Sequence, residues 1–236
     1  MLAQSPHIDI KIYYETSDYL VIYKPKWVLS HPKTLWEVEQ PSIVGWLYHR
    51  SSLVPSSGSF IRAGLVHRLD KETDGLMIVV LTEKWLHYFR DLFDKKAQSA
   101  LDHIDFDQLH KYYRAKCVIT NQGKDRLISH ADLDYPVMIK SLIYPKTSTY
   151  GYPKMGITRV ISVEMLDQKH VVCTLELLTG RTHQLRYHLA EIWLPIVWDE
   201  LYGTWADNQK KQHIQLTAYK LDFIDCSGRR VQCEIT

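Results

Sequence analysis

The chain of 236 residues is long enough for one well-buried domain or for two smaller halves that share a sheet. Its hydrophobic fraction of 45% excludes a disordered chain, and it contains no low-complexity run. The net charge is only +2, from 29 basic and 27 acidic residues, so any contact with a nucleic acid must come from a local basic patch.

Cysteine spacing and hydropathy predict the compartment. The cysteines are too far apart for a C-x-x-C metal or redox pair, no apolar stretch approaches the length of a membrane span, and residues 1–9 lack the pattern of a signal peptide. We therefore expect a cytoplasmic protein that contacts no membrane, binds no metal and keeps its cysteines as small core residues. These cysteines are Cys117, Cys173, Cys226 and Cys233.

In chain order, the first elements predicted are two strands over residues 8–14 and 19–23, which a polar turn joins into a β-hairpin. Lys24 and Pro25 end the second strand. Residues 42–48 then predict a short helix with its apolar side chains directed inward.

A dense polar turn followed by a buried strand comes next, and the rest of the chain is organised around it. Residues 76–81 form an apolar run that is rich in β-branched side chains and too short for a helix, and Gly75 supplies backbone freedom where this strand begins. A rigid scaffold can hold reactive groups in such a turn. A charged turn that is merely solvated explains the spacing of these residues at least as well, when the spacing is considered by itself. The turn contains His67, Arg68, Asp70, Lys71, Glu72, Thr73 and Asp74.

An amphipathic helix is predicted after this strand, with Thr82 as its N-cap and an aromatic stripe from Trp85 to Phe93 that packs in the core. Residues 95–110 are interpreted as an acidic and polar insert, either a peripheral loop or a contact with a partner. Alternation over residues 111–119 predicts a strand with one buried face.

The second half of the chain predicts further strands. Residues 134–154 are rich in proline and tyrosine without a clear period, which indicates a loop. Residues 156–166 and 169–178 predict two paired strands, and the stretches 213–225 and 229–235 complete the sheet.

A helix is predicted between these two groups of strands, with Thr182 as its cap. Arg181 and Arg186 fall within its first turns, where a cation opposes the helix dipole unless an anion lies nearby. This placement predicts a carboxylate or phosphate partner.

Four stretches of the chain resemble the motifs of the RluA-type pseudouridine synthases, and they occur in the family's order. Residues 67–75 match the catalytic motif H-R-L-D-x-x-T-S-G at every defined position but one, where Asp74 replaces the serine. A protein-kinase H-R-D loop is rejected, because the order of its last two residues differs and the chain has neither a Gly-x-Gly pair nor D-F-G. The other three stretches are Tyr23–Pro25 with His31–Pro32, Lys111–Ala115 and Gly180–His188.

The resemblance spans nearly the whole chain. It implies an α+β pseudouridine synthase fold, in which a mixed and mostly antiparallel central sheet is flanked by helices and crossed by the active-site cleft. Residues 8–236 would form a single catalytic domain after a short extension of residues 1–7. Many members carry a separate N-terminal RNA-binding module, which we expect this chain to lack, so RNA selection is expected to rest on the catalytic domain.

The implied activity is the isomerisation of specific uridines in ribosomal or transfer RNA to pseudouridine, by a monomer that needs no cofactor and no metal. Asp70 is the implied catalytic group, which attacks the base or the sugar or stabilises the detached intermediate. Arg186 is the implied partner that keeps Asp70 ionised. Tyr113 would stack on the flipped uracil and assist proton removal, and Arg68 would fill the space that the flipped base vacates.

The resemblance gives the remaining motif residues smaller roles. Leu69 is expected to line the uridine pocket, and Lys24 and Arg181 are expected to contact RNA. The residues expected to hold the motifs in shape are His67, Thr73, Gly75, His183 and Gln184.

Three tryptophans depart from the family's pattern, which has glycine in K-P-x-G and twice in G-H-P-I-x-G-D. Trp27 stands at the first of these positions, Trp193 (followed by Leu194) at the second and Trp198 at the third. Because a left-handed backbone is costly for tryptophan, we expect these loops to be built without it. The departures keep open a non-catalytic RNA-binding or RNA-folding protein that retains the scaffold, and also a protein with no RNA role.

Overall fold

The structure is a computed structural model that describes residues 8–32, 40–48, 64–123, 136–144, 152–203 and 213–235. The chain divides into two compact units: the first contains Met1–Lys95 together with Ala218–Thr236, and the second contains Lys96–Thr217. No helix within the described ranges is both long and apolar enough to cross a membrane. The predicted extension of residues 1–7 lies outside the described residues, and the single-domain boundary stays a prediction.

The first unit contains all or most of β1 (Ile12–Glu15), β2 (Tyr19–Lys24), α1 (Ile43–Tyr48), β3 (Asp74–Val80), α2 (Glu83–Leu101), β8 (Leu216–Ile224) and β9 (Arg230–Glu234). β2 pairs antiparallel with β1 on one side and with β3 on the other. β8 lies next to β3 and pairs antiparallel with β9.

An aromatic cluster forms the core beside these strands. Tyr19 of β2 is fully buried, and its ring centroid lies 4.8 Å from that of Trp85 and 5.2 Å from that of Phe89, both on α2. Phe223 of β8 lies 5.5 Å from Phe89. The aromatic stripe of α2 is therefore core packing, as its helical spacing predicts.

The second unit contains β4 (Leu109–Val118), β5 (Val137–Ile143), β6 (Lys154–Met165), β7 (His170–Leu177) and α3 (Gln184–Glu191). Its strands lie in the order β4-β7-β6-β5, with antiparallel pairing throughout. Alternation along β4 buries every second residue, and the register with β7 places Tyr113 opposite Leu175.

Most of the predictions for these elements are confirmed. The β1–β2 hairpin, the buried strand β3, the alternating strand β4 and the β6–β7 pair lie at the predicted places. The turn between β6 and β7 is fixed by Asp167, whose Oδ1 accepts the N–H groups of Lys169 at 2.8 Å and His170 at 2.9 Å. The predicted α+β class is confirmed.

The predicted insert over residues 95–110 is wrong in its first part, because α2 continues to Leu101. Lys96 is only 2% exposed, and its Nζ donates to Glu176 Oε1 at 2.8 Å. Arg159 Nη1 donates to the other oxygen of Glu176 at 2.9 Å. Hydropathy does not predict that the helix continues over residues 96–101, because a lysine is normally a surface residue unless it has a buried partner.

The predicted loop over residues 134–154 is also wrong, because it contains β5. Ile139 and Ile143 are buried, whereas Met138 and Leu142 on the other face are exposed. Because the exposed face of β5 is partly apolar, the sequence lacks the alternation of apolar and polar residues that predicts a strand.

The predicted cap of α3 by Thr182 is the third error. The helix begins at Gln184, and His183 takes the N-cap position in a left-handed conformation, φ 55°, without a side-chain capping hydrogen bond. Gln184 Oε1 instead accepts the Thr179 hydroxyl at 2.7 Å and the Arg181 N–H at 3.1 Å. The Gln184 carboxamide therefore fixes the entry of the chain into α3.

Candidate active site

The predicted catalytic loop, residues 67–75, leads directly into β3. Gly75 lies opposite Lys24 of β2 and has a φ of +126°. A Cβ atom at Gly75 would lie 2.3 Å from the carbonyl oxygen of Ala218 in β8. Only glycine allows both this backbone conformation and this close approach of β8.

Ser30 fixes the backbone beside Asp70. Its hydroxyl donates to the carbonyl of Leu69 at 2.7 Å and accepts the N–H of Leu69 at 3.0 Å. On the other side, the Asp70 carbonyl accepts the N–H of Thr73 at 3.1 Å. The half-buried side chain of Asp70 therefore extends from a backbone that is hydrogen-bonded on both sides. Ser30 lies outside the sequence motifs, although it directly precedes the His31–Pro32 motif.

Lys24 supports the same loop from a fully buried position. Its Nζ donates to the carbonyls of Pro25 and Val28, both at 2.9 Å, and to that of Lys71 at 3.3 Å. Burial lowers the pKa of Lys24 to about 7, and the loop carboxylates, that of Asp70 among them, oppose this shift. Direct contact of Lys24 with RNA stays a prediction, while its bond to the Lys71 carbonyl ties the loop to the turn that follows β2.

Asp74 stands where the family's motif has serine, and a tyrosine and a lysine bind it. Tyr23 Oη donates to Asp74 Oδ2 at 2.7 Å, and Lys26 Nζ lies 3.9 Å from Oδ1. Burial and the hydrogen bond to Asp74 raise the pKa of Tyr23. The replacement thus adds a negative charge near Lys24 and Lys26 that a serine could not supply.

The other predicted residues of the loop differ in exposure. Arg68 is exposed, whereas Leu69 and Thr73 are buried. His67 stacks on Phe93 with 4.8 Å between ring centroids, and its Nε2 accepts the N–H of Ile78 at 2.9 Å. His67 therefore ties the loop to β3 and to α2, and leaves Arg68 beside it accessible to solvent.

In the second unit, Arg186 lies in the first turn of α3 and has the carboxylate partner that the helix-dipole argument predicts. Its Nε donates to Asp199 Oδ2 at 2.8 Å and its Nη2 to Oδ1 at 2.7 Å. Arg186 is 3% exposed and Asp199 is 1% exposed. Asp199 Oδ1 also accepts the N–H groups of Leu201 at 3.0 Å and Tyr202 at 3.1 Å. This two-point pairing fixes the plane of the guanidinium group.

Tyr113 lies on the buried face of β4, two residues from a buried lysine. Tyr113 is 5% exposed and Lys111 is 7% exposed. Burial, and then the charge of Lys96, lowers the pKa of Lys111 to about 7. Lys111, which belongs to the Lys111–Ala115 motif but had no predicted role, is thus a titratable group near Tyr113. The stacking of Tyr113 on uracil stays a prediction.

Arg181 and His183 lie just before α3. Arg181 Nε donates to a backbone carbonyl of β6 at 3.0 Å. His183 Nδ1 lies 3.4 Å from Tyr202 Oη, and the Arg186 guanidinium carbon lies 5.5 Å from the centroid of the Tyr202 ring.

The predicted pairing of Arg186 with Asp70 joins residues of the two units and stays a prediction. Among the described side chains, no group of three or more His, Cys, Asp or Glu residues could hold a metal ion.

Residues 18–191 match the family model described as RNA pseudouridylate synthase. The chain belongs to this family. It is 30% identical over 220 residues to ribosomal large subunit pseudouridine synthase D of Borreliella burgdorferi. The aligned region covers 92% of this chain and 61% of that protein. The identity to the synthase D of Pseudomonas aeruginosa is 31% over 204 residues, or 86% of this chain and 55% of that protein. The chain thus spans little more than half the length of these relatives.

Two solved structures of pseudouridylate synthases share the fold. Human RNA pseudouridylate synthase domain containing 1 superposes with a TM-score of 0.64 at 20% identity, over 97% of this chain and 83% of that one. Human RNA pseudouridylate synthase domain containing 4 gives 0.63 at 18% identity, over 95% and 87%. The predicted pseudouridine synthase fold is therefore confirmed, while the cleft across its middle stays a prediction.

In this chain, the three tryptophans at the family's glycine positions have a left-handed backbone, so the prediction that their loops avoid it is wrong. The φ angles are 66° at Trp27, 66° at Trp193 and 61° at Trp198. This conformation costs a residue with a side chain about 1–2 kcal/mol, but surrounding hydrogen bonds can hold it. The Trp27 N–H donates to the Lys71 carbonyl at 2.8 Å, and the Trp193 N–H donates to that of Ala190 at 3.0 Å. The turns thus have a glycine-like conformation and carry an added indole.

Proposed function

We propose that this protein is an RNA pseudouridine synthase that isomerises uridine in ribosomal or transfer RNA, with Asp70 as its catalytic residue. The observation that carries the proposal is the family's H-R-L-D loop, which Ser30 and Lys24 hold so that the Asp70 carboxylate stands half-buried on a fixed backbone. The relatives named as ribosomal large subunit synthases support ribosomal RNA as the first substrate to test.

The proposed reaction breaks the bond between N1 of uracil and C1′ of the ribose and joins C1′ to C5 of the same base. No atom is gained or lost, because the proton that leaves C5 is balanced by the proton that N1 takes up. The Asp70 carboxylate attacks the base or the sugar, or stabilises the detached intermediate. Arg186, fixed by Asp199, is the proposed cation that faces this carboxylate.

The target uridine must leave the base stack before Asp70 can reach it, which costs about a few kcal/mol. We assign the vacated space to Arg68, since its exposed guanidinium is long and planar enough to stack there. Tyr113 stacks on the flipped uracil and assists removal of the C5 proton, and Leu69 lines the pocket.

Loss of the C5 proton supplies a direct test. Ribosomal and transfer RNA prepared with tritium at C5 of uridine should release tritium when incubated with the wild-type protein. Asp70→Asn keeps the size of the side chain but removes the carboxylate, so release should fall by at least 1,000-fold, on the order expected for loss of a nucleophile. Asp102→Asn, at an exposed carboxylate, is the matched control and should react like wild type.

Two results would end the proposal: no tritium release from either RNA by the wild-type protein, or equal release by Asp70→Asn. Unchanged RNA affinity in Asp70→Asn together with no release by wild type would instead favour a non-catalytic RNA-binding protein. Pseudouridine maps of total RNA from cells with and without the gene would then identify the uridine that a working enzyme modifies.

We further propose that the protein acts as a monomer in the cytoplasm. Its four cysteines are all free, and three of them are buried, which fits a reducing compartment. Light scattering should give a mass near 27.7 kDa, and cell fractionation should recover the protein with the cytosol.

A further inference from the structure

An open cleft of about 490 Å³ lies in the second unit, where β4 and α3 both end. Its aromatic wall is formed by Trp193 and Tyr202, and the side chains of Asn121 and Gln122 supply amide groups. The volume is within the range of about 300–1,000 Å³ that small-ligand pockets show. None of the residues proposed above to act on uridine lines this cleft.

Contacts with its backbone hold Trp193 in place at the wall of the cleft. Thr120 Oγ1 donates to the Trp193 carbonyl at 2.9 Å and accepts the N–H of Gly123 at 3.0 Å. A Cβ atom at Gly123 would lie 2.7 Å from the Trp193 carbonyl oxygen, so the turn over residues 121–123 approaches this tryptophan as closely as glycine permits. Trp193 keeps its left-handed φ of 66° in this clamp and is 38% exposed.

The Tyr202 wall connects the cleft to Arg186. The Tyr202 N–H is bound to Asp199, and its ring lies 5.5 Å from the guanidinium carbon of Arg186. A ligand in the cleft would therefore rest against a ring that also packs on Arg186. Strained residues persist where surrounding structure holds them, as Thr120 and Gly123 hold Trp193, and such residues are often found at ligand sites.

The chemistry of the lining decides the class of ligand. Its two aromatic residues offer surfaces on which a planar ring stacks, and every nucleobase has such a face. The Asn121 and Gln122 amides each donate and accept, as the hydrogen-bonding edges of bases require. No described side chain that lines the cleft is charged, which disfavours a phosphate, a carboxylate or a metal ion as occupant.

We propose that this cleft binds an unpaired nucleobase of the RNA substrate, next to the uridine that is isomerised. The identity of the ligand as RNA rests on the proposed function. The cleft would thus help to select the RNA, by requiring an unstacked base near the target.

Trp193→Gly tests the proposal, because glycine favours the observed backbone conformation and removes only the indole. The variant should remain folded, with a cooperative thermal transition. Its affinity for a fluorescently labelled single-stranded RNA should be about 5- to 100-fold weaker, as expected for the loss of one base stacked on an aromatic ring. Trp193→Phe keeps an aromatic face and should recover much of the affinity. Tyr152→Ala removes an aromatic side chain that is 89% exposed and does not line the cleft, and should bind like wild type.

A second measurement does not depend on isomerisation. AMP added to the wild-type protein should shift the indole N–H signal of Trp193 in a nitrogen–proton NMR spectrum, and the signal missing from Trp193→Gly assigns it among the seven tryptophans. Equal RNA affinity in Trp193→Gly and wild type, or an unmoved Trp193 signal, would refute the nucleobase site. The tritium assay tests the synthase activity separately. If the wild-type protein releases tritium but Trp193→Gly binds RNA equally well, only the nucleobase site is refuted. If AMP shifts the Trp193 signal but no tritium is released, only the synthase activity is refuted.

Discussion

At the residue scale, buried polar groups that hydrogen-bond to the backbone hold the candidate site together. Lys24 donates to three carbonyls, Ser30 bonds both peptide groups of Leu69, and the Gln184 amide bonds around the start of α3. Each such group costs free energy when buried unless all its bonds are made. Single substitutions at these residues should therefore have large effects on stability.

Lys24→Met should lower the free energy of unfolding by about 3 kcal/mol, because the carbonyls that bind Nζ lose their donor inside the protein. Urea unfolding at pH 6, below the pKa of Lys24, measures the effect. The exposed Lys154→Met serves as the control and should change stability by less than about 0.5 kcal/mol. Equal urea midpoints for Lys24→Met and wild type would contradict the supporting role of Lys24.

The left-handed backbone of Trp27 makes a different prediction, in which two substitutions are compared with each other. Trp27→Gly should be about 1 kcal/mol more stable than Trp27→Ala, since both lack the indole and only glycine relieves the strain at φ 66°. Thermal unfolding of the two variants measures this difference. At Met165, which ends β6 without a positive φ, the order should reverse, with alanine at least as stable as glycine. The same order at both positions would argue against strain at Trp27.

At the scale of elements, α3 places a buried ion pair and a buried histidine within two residues of each other. Arg186 pairs with Asp199, and His188 Nδ1 lies 2.8 Å from the hydroxyl oxygen of Thr158 in β6. Both arrangements put a titratable or charged group on the buried side of the helix. The stability of α3 is therefore tied to charge as well as to apolar packing.

Asp199→Asn should destabilise the protein by about 3 kcal/mol or more, because the buried guanidinium of Arg186 loses its counter-charge. Asp91→Asn is the control, since Asp91 lies 2.7 Å from Lys95 and the two side chains are 60% and 62% exposed. That change should cost about 1 kcal/mol or less. Chemical unfolding of both variants tests the difference, and equal losses would mean that burial does not strengthen the Arg186 pair.

His188 should make stability depend on pH in a defined window. Burial lowers the pKa of His188 to about 4, whereas an unfolded histidine titrates near about 6.5. The unfolded chain thus binds more protons between these values, so this contribution to stability is complete above about pH 6.5 and is lost as the pH falls towards 4. The loss at pH 4 should be about 3 kcal/mol.

The variant His188→Gln should lack this part of the pH dependence, so the difference in unfolding free energy between it and wild type should shrink as the pH falls from 7 to 4. His87→Gln, at an exposed histidine, should keep the wild-type slope. Parallel curves for His188→Gln and wild type would show that His188 does not titrate in this window.

The elements that the sequence predicts well are those whose pattern is local. β3 is a continuous apolar run and β4 alternates strictly, so period alone locates them. The end of α2 and strand β5 were missed, because Lys96 is buried by a partner far along the chain and Met138 is apolar but exposed. The motifs identified Asp70 and Arg186, whereas Ser30 and Asp199 act through contacts that only the folded chain creates.

At the scale of the whole molecule, the near-neutral charge limits how the proposed RNA substrate can be held. A net charge of +2 supplies little general attraction, so a few placed cations must neutralise phosphates. Arg68 is exposed and Arg181 is half-buried before α3, and both are proposed RNA contacts. RNA binding should therefore respond to single arginines rather than to total charge.

Arg181→Gln should weaken RNA binding and reduce the slope of log affinity against log salt concentration by about 1, as expected for the loss of one phosphate contact. Fluorescence anisotropy with labelled RNA between about 50 and 200 mM salt measures this slope. Arg90→Gln changes the net charge equally, at an exposed position on α2, and should leave the slope unchanged. If both variants lower the slope alike, binding follows total charge instead.

The two hydrogen bonds of Ser30 have a consequence for the energetics of the proposed catalysis. Because they immobilise the peptide groups of Leu69 in the folded chain itself, the conformational entropy of this segment is lost during folding and not when RNA arrives. A preorganised segment adds nothing to the reorganisation needed on binding. The rate should then be governed by how readily a given RNA releases its own nucleotide, so loops and bulges should be modified faster than paired regions of the same sequence.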